Sequence, residues 1–145
     1  MTDQSSFARL ADDFLIAPQI TPEDIATLKA EGVQLIINNR PDGEEPGQPK
    51  SADIEAAAKA AGLTYVEIPV GRMGVTSQHL DDFDAAVAQS GKTLGFCRSG
   101  MRSTIVRAMA KARGGADIDA LIEEAAGAGY DITGQRSILE SARDG

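Results

Sequence analysis

The chain has 145 residues, a formal net charge of −8 and a sequence pI of about 4.6. This acidic balance argues against nucleic acid and anionic membranes as partners, because both repel a negatively charged surface. A single cysteine and a single histidine exclude an internal disulfide framework and a zinc site built from thiolates and imidazoles.

The N-terminal residues 1–6 are polar and acidic, and they lack the basic and apolar regions of a secretory signal. No apolar stretch approaches the length that spans a membrane. We therefore expect a single soluble domain over residues 1–145. A reducing cytoplasm suits its one free thiol. We expect no cofactor and no metal site.

The predicted elements alternate between strands and helices. Two short apolar runs, 7–10 and 14–17, predict a hairpin. Thr21 then predicts the N-cap of a helix, with Pro22 in its first turn, and Gly32 ends that helix. The remaining elements follow in order: a strand at 33–37, a loop at 38–50, a helix at 51–61, a strand at 64–70, a loop at 71–76, a helix up to Gly91, a strand at 93–96, and helices ending near 112, 126 and 143.

This alternation implies right-handed crossovers and a central, mostly parallel sheet. Helices flank such a sheet on both faces, so the sequence predicts a three-layer α/β fold. Ligands of such sheets bind beyond the carboxyl ends of the strands. Three predicted loops meet at that edge: 38–50, 71–76 and 97–102.

The only cysteine stands where the last strand gives way to a helix, at the head of Cys97-Arg98-Ser99-Gly100-Met101-Arg102-Ser103. We expect the backbone N–H groups of residues 98–102 to form an anion-binding nest at the helix N-terminus. Its positive field stabilises the thiolate, which makes Cys97 the candidate nucleophile. The alternative is a buried structural cysteine.

Other side chains of the loop are candidates for supporting roles. Arg102 offers a planar two-donor fork for an oxyanion. The Ser103 hydroxyl is expected to donate a hydrogen bond to the Cys97 thiolate and so stabilise it. The alternative is a serine that merely occupies the N-terminus of the helix. Ser99, Gly100 and Met101 are expected to bind substrate through the nest.

Four further residues are candidates for binding the substrate: Arg40, Asp42, Arg72 and Arg98. Arg40 follows a strand end, where it binds a substrate anion or pairs with Asp42. Arg98 and Arg72 are candidates for recognising the charge of the substrate at the mouth of the crevice. The alternative is that both are solvent-exposed arginines without a role in binding. Asp42 is also a candidate proton donor.

The motif and its setting resemble the cysteine-dependent phosphatases and the rhodaneses. Nearly the whole chain is similar to the phosphatase-like domain family of β-lactamase-hydrolase-like proteins, on five segments: 17–24, 38–46, 68–70, 97–103 and 128–131. The resemblance implies a protein tyrosine phosphatase-like fold of the dual-specificity type. It also implies a link to sulfide metabolism, with a sulfide-oxidising or persulfide-handling enzyme as partner.

Two features favour sulfur over phosphoryl as the transferred group. Four residues separate Cys97 from Arg102, whereas the tyrosine-phosphatase pattern has five and a histidine where Phe96 stands. Residues 71–78 contain no carboxylate, although dual-specificity phosphatases carry their acid there. Glu44 and Glu45 are substitutes for it from the other loop, and Asp81 and Asp82 fit solvated helix positions.

The sequence therefore predicts a rhodanese-like sulfurtransferase. A small-molecule donor passes a sulfane sulfur to Cys97, and an external thiol such as glutathione accepts it from the persulfide, because the chain has no second cysteine. The alternative is a cysteine-dependent phosphatase of the dual-specificity type. A third possibility is a non-catalytic module that binds anions or persulfides.

Overall fold

A computed structural model describes residues 7–145 of the protein. Residues 1–6, for which the sequence predicts no targeting signal, lie outside the described part. One five-stranded sheet contains β1 (Ala8–Ala11), β2 (Phe14–Ala17), β3 (Leu35–Asn38), β4 (Thr64–Glu67) and β5 (Thr93–Phe96), in the order β1-β2-β5-β3-β4. The hairpin partner β1 is antiparallel to β2, and the other neighbouring strands run parallel. The predicted mostly parallel sheet is confirmed.

Helices cover both faces of this sheet. They are α1 (Asp24–Ala30), α2 (Ser51–Ala60), α3 (Ser77–Ala88), α4 (Met101–Arg113), α5 (Ile118–Gly127) and α6 (Arg136–Asp144), with a 3-10 turn (Thr133–Gln135) before α6. Side chains of β3 alternate between the two cores: Leu35 and Ile37 pack with α3 to α6, and Ile36 packs with α1 and α2. The three-layer prediction is confirmed.

Several element boundaries shift by one to three residues from the prediction, and two of these shifts change the interpretation of a residue. The first helix begins at Asp24, because the Asp24 carboxylate accepts the N–H of Thr21 at 2.8 Å and holds the preceding residues in a turn. Thr21 is therefore not its N-cap. The strand predicted at 64–70 ends at Glu67, since Pro69 has no N–H group to continue a ladder.

The carboxyl ends of β3, β4 and β5 lie side by side and lead into the loops that the sequence predicts to converge. Beyond β4, the N–H groups of Ile68 and Val70 donate to the carbonyls of Asn38 and Asn39. These bonds tie the two loops together at the sheet edge. Across residues 7–145, no helix is both long enough and apolar enough to cross a bilayer.

Candidate active site

Cys97 follows the last residue of β5 directly and is fully buried. The N–H of Gly100 donates to Cys97 Sγ at 3.1 Å. Gly100 adopts φ +97 as the N-cap of α4, a conformation that glycine reaches without strain. The sequence predicts that the N–H groups of residues 98–102 point together at one anion, and this is wrong for Met101. Its N–H donates to Ser99 Oγ at 3.2 Å, because the short serine side chain lies close to that amide.

Arg102 lies in the first turn of α4 and joins the three loops. Its Nη1 donates to Glu44 Oε2 and to the carbonyl of Val70, both at 2.7 Å, and its Nη2 donates to Glu44 Oε1 at 2.8 Å. These bonds to Glu44 and, secondarily, the nearby Cys97 charge raise the pKa of Arg102. The convergence of loops 38–50, 71–76 and 97–102 is thus confirmed.

The two glutamates considered as proton donors are held in their ionised forms. The bonds from Arg102, together with those from Arg40, lower the pKa of Glu44 to about 2. Arg40, followed by Arg98, lowers the pKa of Glu45. Neither carboxyl holds a proton to donate near neutral pH.

Arg40 is buried and uses every side-chain nitrogen within the protein. Its Nε donates to Glu44 at 2.9 Å, its Nη2 to Glu45 at 2.8 Å and its Nη1 to Gln19 at 3.0 Å. The predicted pair with Asp42 is wrong. Arg40 also holds both glutamates in place, a task that competes with its predicted role as a substrate ligand.

Asp42 faces the start of α2 instead of the site. Its Oδ1 accepts the N–H of Ser51 at 2.9 Å and the Ser51 hydroxyl at 2.8 Å. The first N–H groups of a helix lack partners inside that helix, and this carboxylate satisfies one of them. The prediction that Asp42 binds substrate or donates a proton is therefore wrong.

Ser103 makes a structural bond. Its hydroxyl donates to Asn39 Oδ1 at 2.7 Å, and Asn39 Nδ2 donates to the carbonyl of Ile68 at 2.9 Å. Ser103 and Asn39 are both buried, so each needs the other as a polar partner. The predicted bond from Ser103 to Cys97 is wrong, because the hydroxyl proton is used at the end of β3.

The three loops enclose a cavity of about 510 Å³. The side chains that line it are mostly charged: Arg40, Glu44, Glu45, Arg72, Arg98 and Arg102, together with Gly43. Four arginines face two glutamates here, so the cavity is cationic on a chain whose net charge is −8. Arg72 and Arg98 are exposed and line this cavity, and Arg98 also pairs with Glu45 at 3.4 Å. Their role in attracting an anion stays a prediction.

Sequence reasoning missed Tyr130 as a support of the nucleophile loop. The Tyr130 hydroxyl donates to the carbonyl of Ser99 at 3.0 Å. A Cβ atom on Gly100 would lie only 2.2 Å from that hydroxyl, so the ring packs directly against the loop. Burial and the Cys97 charge raise the pKa of Tyr130. Its position in segment 128–131, one of the segments that carry the family resemblance, was the available signal.

This arrangement fits nucleophilic chemistry on an anionic substrate. The buried Cys97 provides a sulfur that can act as a nucleophile, and the Gly100 N–H donates to it at 3.1 Å. Both Nη atoms of Arg102 are held by Glu44 and the Val70 carbonyl. Glu44 contributes most to the raised pKa of Arg102, and the Cys97 sulfur is near enough to the guanidinium to contribute as well, so the thiol and the arginine are neighbours in the site.

Two solved structures place the fold. A putative phosphatase from Neisseria meningitidis Z2491 is 29% identical, with a TM-score of 0.85, and the match covers 97% of this chain and 100% of that chain. The structure of PTPMT1 in complex with PI(5)P is 16% identical, with a TM-score of 0.76, and covers 96% of this chain and 95% of that one. The second likeness shows the fold alone, which is the protein tyrosine phosphatase-like fold predicted above.

Curated relatives carry this domain within longer chains. The beta-lactamase hydrolase-like protein of Agrobacterium fabrum (strain C58) is 36% identical over 108 residues, which are 74% of this chain and 25% of the relative. The protein of the same name from Xylella fastidiosa (strain Temecula1) is 36% identical over 97 residues, 66% of this chain and 22% of the relative. The chain thus spans about a quarter of the length of these relatives.

A family model matches residues 6–114, a span that contains Cys97, Arg102 and both flanking loops. The model describes the phosphatase-like domain of beta-lactamase hydrolase-like proteins. With the site and fold described above, this match confirms the resemblance read from the sequence. The chain belongs to the family of phosphatase-like domains of beta-lactamase hydrolase-like proteins.

Proposed function

We propose that the domain is a sulfurtransferase that carries a sulfane sulfur on Cys97. The Cys97 thiolate attacks the terminal sulfur of the donor, and a new S–S bond forms. The bond between that sulfur and the rest of the donor breaks, and its electron pair leaves with a thiolate from a persulfide, sulfite from thiosulfate or a sulfinate from a thiosulfonate. An external thiolate then attacks the outer sulfur of the persulfide and releases the Cys97 thiolate.

The observation that carries this proposal is the state of the carboxyl groups around the site. Arginines hold Glu44 and Glu45 ionised. The other candidates lie on α3, where Asp81 pairs with Arg113 and Asp82 accepts a hydrogen bond from Gln78. An alkoxide leaving group requires a proton donor, whereas a thiolate or sulfite leaves without one. A site without an available acid favours sulfur transfer.

The length of the loop supports the same proposal. Four residues separate Cys97 from Arg102, one fewer than in the tyrosine-phosphatase pattern. Within this loop the Gly100 N–H donates to the sulfur itself. A tighter loop suits a single transferred sulfur atom better than a tetrahedral phosphoryl group.

The substrates we propose are a small anionic donor and a glutathione-like thiol acceptor. The cationic cavity, lined by Arg98 and Arg102 of the Cys97 loop, has the charge that would attract both. Because the chain has no second cysteine, the acceptor comes from outside. A sulfide-oxidising or persulfide-handling enzyme is the proposed partner that supplies or consumes the persulfide.

The second candidate is a cysteine-dependent phosphatase of the dual-specificity type. The comparisons favour this candidate over sulfur transfer, because the family is described as phosphatase-like and the Neisseria structure as a putative phosphatase. The guanidinium of Arg102 is a suitable donor for a phosphoryl oxygen as well. Without an acid, such an enzyme would hydrolyse mainly esters with good leaving groups, such as aryl phosphates.

Side-by-side assays separate the candidates. Wild-type protein receives thiosulfate or glutathione persulfide with a thiol acceptor, and separately p-nitrophenyl phosphate. We expect sulfur transfer in wild type and none in Cys97→Ser, which lacks the thiol. Arg102→Lys should lose most of the activity, because an ammonium cannot donate two coplanar hydrogen bonds as the guanidinium does. Phosphate release without sulfur transfer would favour the second candidate. A thiol that reacts no faster than a free one would indicate a binding module.

A further inference from the structure

A second, apolar cavity adjoins the cationic one. It has a volume of about 350 Å³. Ile105 and Met109 of α4 and Ile138 of α6 line it on one side, and Met73 and Val75 of the 71–76 loop line it on the other. We call this cavity the apolar groove. Arg102 lines both the apolar groove and the cationic cavity, so the two cavities adjoin at this side chain.

The two exposed large apolar side chains of residues 7–145 both lie at this groove. Met73 is 95% exposed and Ile138 is 39% exposed, and within the described residues these are the large hydrophobic side chains that stand exposed. Both line the apolar groove. Single exposed apolar side chains are ordinary, but their concentration around one concave surface beside a reactive site marks a binding surface.

We propose that the apolar groove binds the aliphatic or aryl arm of the substrate, whose anionic, sulfur-bearing end lies at Cys97. The substrate class is therefore an amphiphilic one: an alkyl or aryl persulfide, or a thiosulfonate of that kind. The identity of the reacting end rests on the proposed function. The groove itself is independent of which group is transferred.

The dimensions of the groove favour a small molecule over a polypeptide as its occupant. A volume of about 350 Å³ lies at the lower end of the range for small-molecule pockets. Two packed helices, α4 and α6, supply its wall. The cationic side chain at one end gives the occupant a direction, with its charge toward Arg102 and its apolar arm toward Ile138.

Two unreactive sulfonates test the groove without any transfer chemistry. Methanesulfonate offers the anionic head alone, and hexanesulfonate adds five methylenes. Their dissociation constants are measured on the full chain by NMR of labelled methionine and isoleucine methyl groups. A buried methylene improves binding about fourfold, so even partial burial predicts at least about tenfold tighter binding of hexanesulfonate. The methyl signals of Met73, Ile105, Met109 and Ile138 should shift only with the longer probe.

Variants decide whether the gain belongs to the groove. Met73→Ser with Ile138→Ser should abolish most of the tenfold gain and leave methanesulfonate binding unchanged. Met73→Ser alone, at a side chain 95% exposed, should reduce the gain without affecting folding. Glu140→Ala, on the same helix but not lining the groove, should retain it. Equal affinity for both probes, or a gain intact in the double variant, would overturn the proposal. Absence of sulfur transfer with the gain present would overturn only the proposed function.

Discussion

The carboxylate of Glu44 meets the guanidinium of Arg102 through two parallel hydrogen bonds, of 2.7 and 2.8 Å. This pair links the loop after β3 to the first turn of α4. A bidentate pair fixes the plane of the guanidinium as well as its position. Glu44 thus positions Arg102, the arginine proposed above to bind the substrate anion.

Glu44→Gln should lower sulfur transfer about tenfold, because the amide cannot provide two charge-assisted acceptors. The matched control is Glu45→Gln, which contacts Arg40 and Arg98 but not Arg102, and which should retain most activity. Steady-state rates of both variants with one donor provide the measurement. Equal losses in the two would indicate a general charge effect.

The same pair predicts a pH dependence of stability. The pKa of Glu44 is lowered from 4.5 to about 2, so its ionised form stabilises the folded state. The stability advantage of wild type over Glu44→Gln is full above pH 4.5 and is lost as the pH falls toward 2. The free energies of unfolding of wild type and Glu44→Gln, measured with denaturant from about pH 3 to about pH 7, should converge only at the acidic end. Curves that stay parallel throughout would contradict this assignment.

Tyr130→Phe removes the hydroxyl that donates to the Ser99 carbonyl and keeps the ring against Gly100. One hydrogen bond contributes about 1 kcal/mol, so we expect a loss of stability of about that size. Because the bond anchors the nucleophile loop, Cys97 alkylation by iodoacetamide should also become slower. An unchanged alkylation rate alongside reduced stability would leave Tyr130 a structural residue only.

Gly100→Ala should be more damaging than Gly129→Ala, although both glycines have φ +97. A Cβ at Gly100 meets Tyr130 at 2.2 Å and Ile16 at 2.9 Å, whereas a Cβ at Gly129 has nothing within 4 Å. Gly129→Ala therefore measures the backbone strain alone, about 1–2 kcal/mol. Urea unfolding of both variants gives the difference, and a similar cost at the two positions would mean that Tyr130 does not restrain the loop.

Ser103→Ala should destabilise the fold by about 1–3 kcal/mol, because it leaves the buried Asn39 oxygen without its donor. The pH dependence of Cys97 alkylation should stay as in wild type, since the hydroxyl serves Asn39 and not the thiolate. A shift of that profile to higher pH in the variant would restore the catalytic role expected from the sequence.

Features that depend on local sequence could be predicted, and those that depend on distant side chains could not. The strand, the loop at Cys97 and the helix with Arg102 are contiguous, so their order specified the nucleophile loop. The bond from Ser103 to Asn39 joins residues 64 positions apart, and that from Tyr130 to Ser99 joins residues 31 apart. No spacing rule indicates such pairs.

Arg40 shows the same limit. Its position after β3 correctly predicted a place at the site, but its partner depended on how the loop 39–50 folds back. Asp42 is nearer in sequence, yet it faces the start of α2, and Glu44 and Glu45 reach the guanidinium instead. The choice among neighbouring carboxylates is made by three-dimensional packing.

The mass of the intact protein tests the central claim most directly. After incubation with glutathione persulfide alone, Cys97 should carry one extra sulfur of about 32 Da, and added thiol should remove it. Cys97→Ser should remain unmodified under the same conditions. An unmodified wild-type mass, together with rapid phosphate release from p-nitrophenyl phosphate, would contradict sulfur transfer and establish the phosphatase reading in its place.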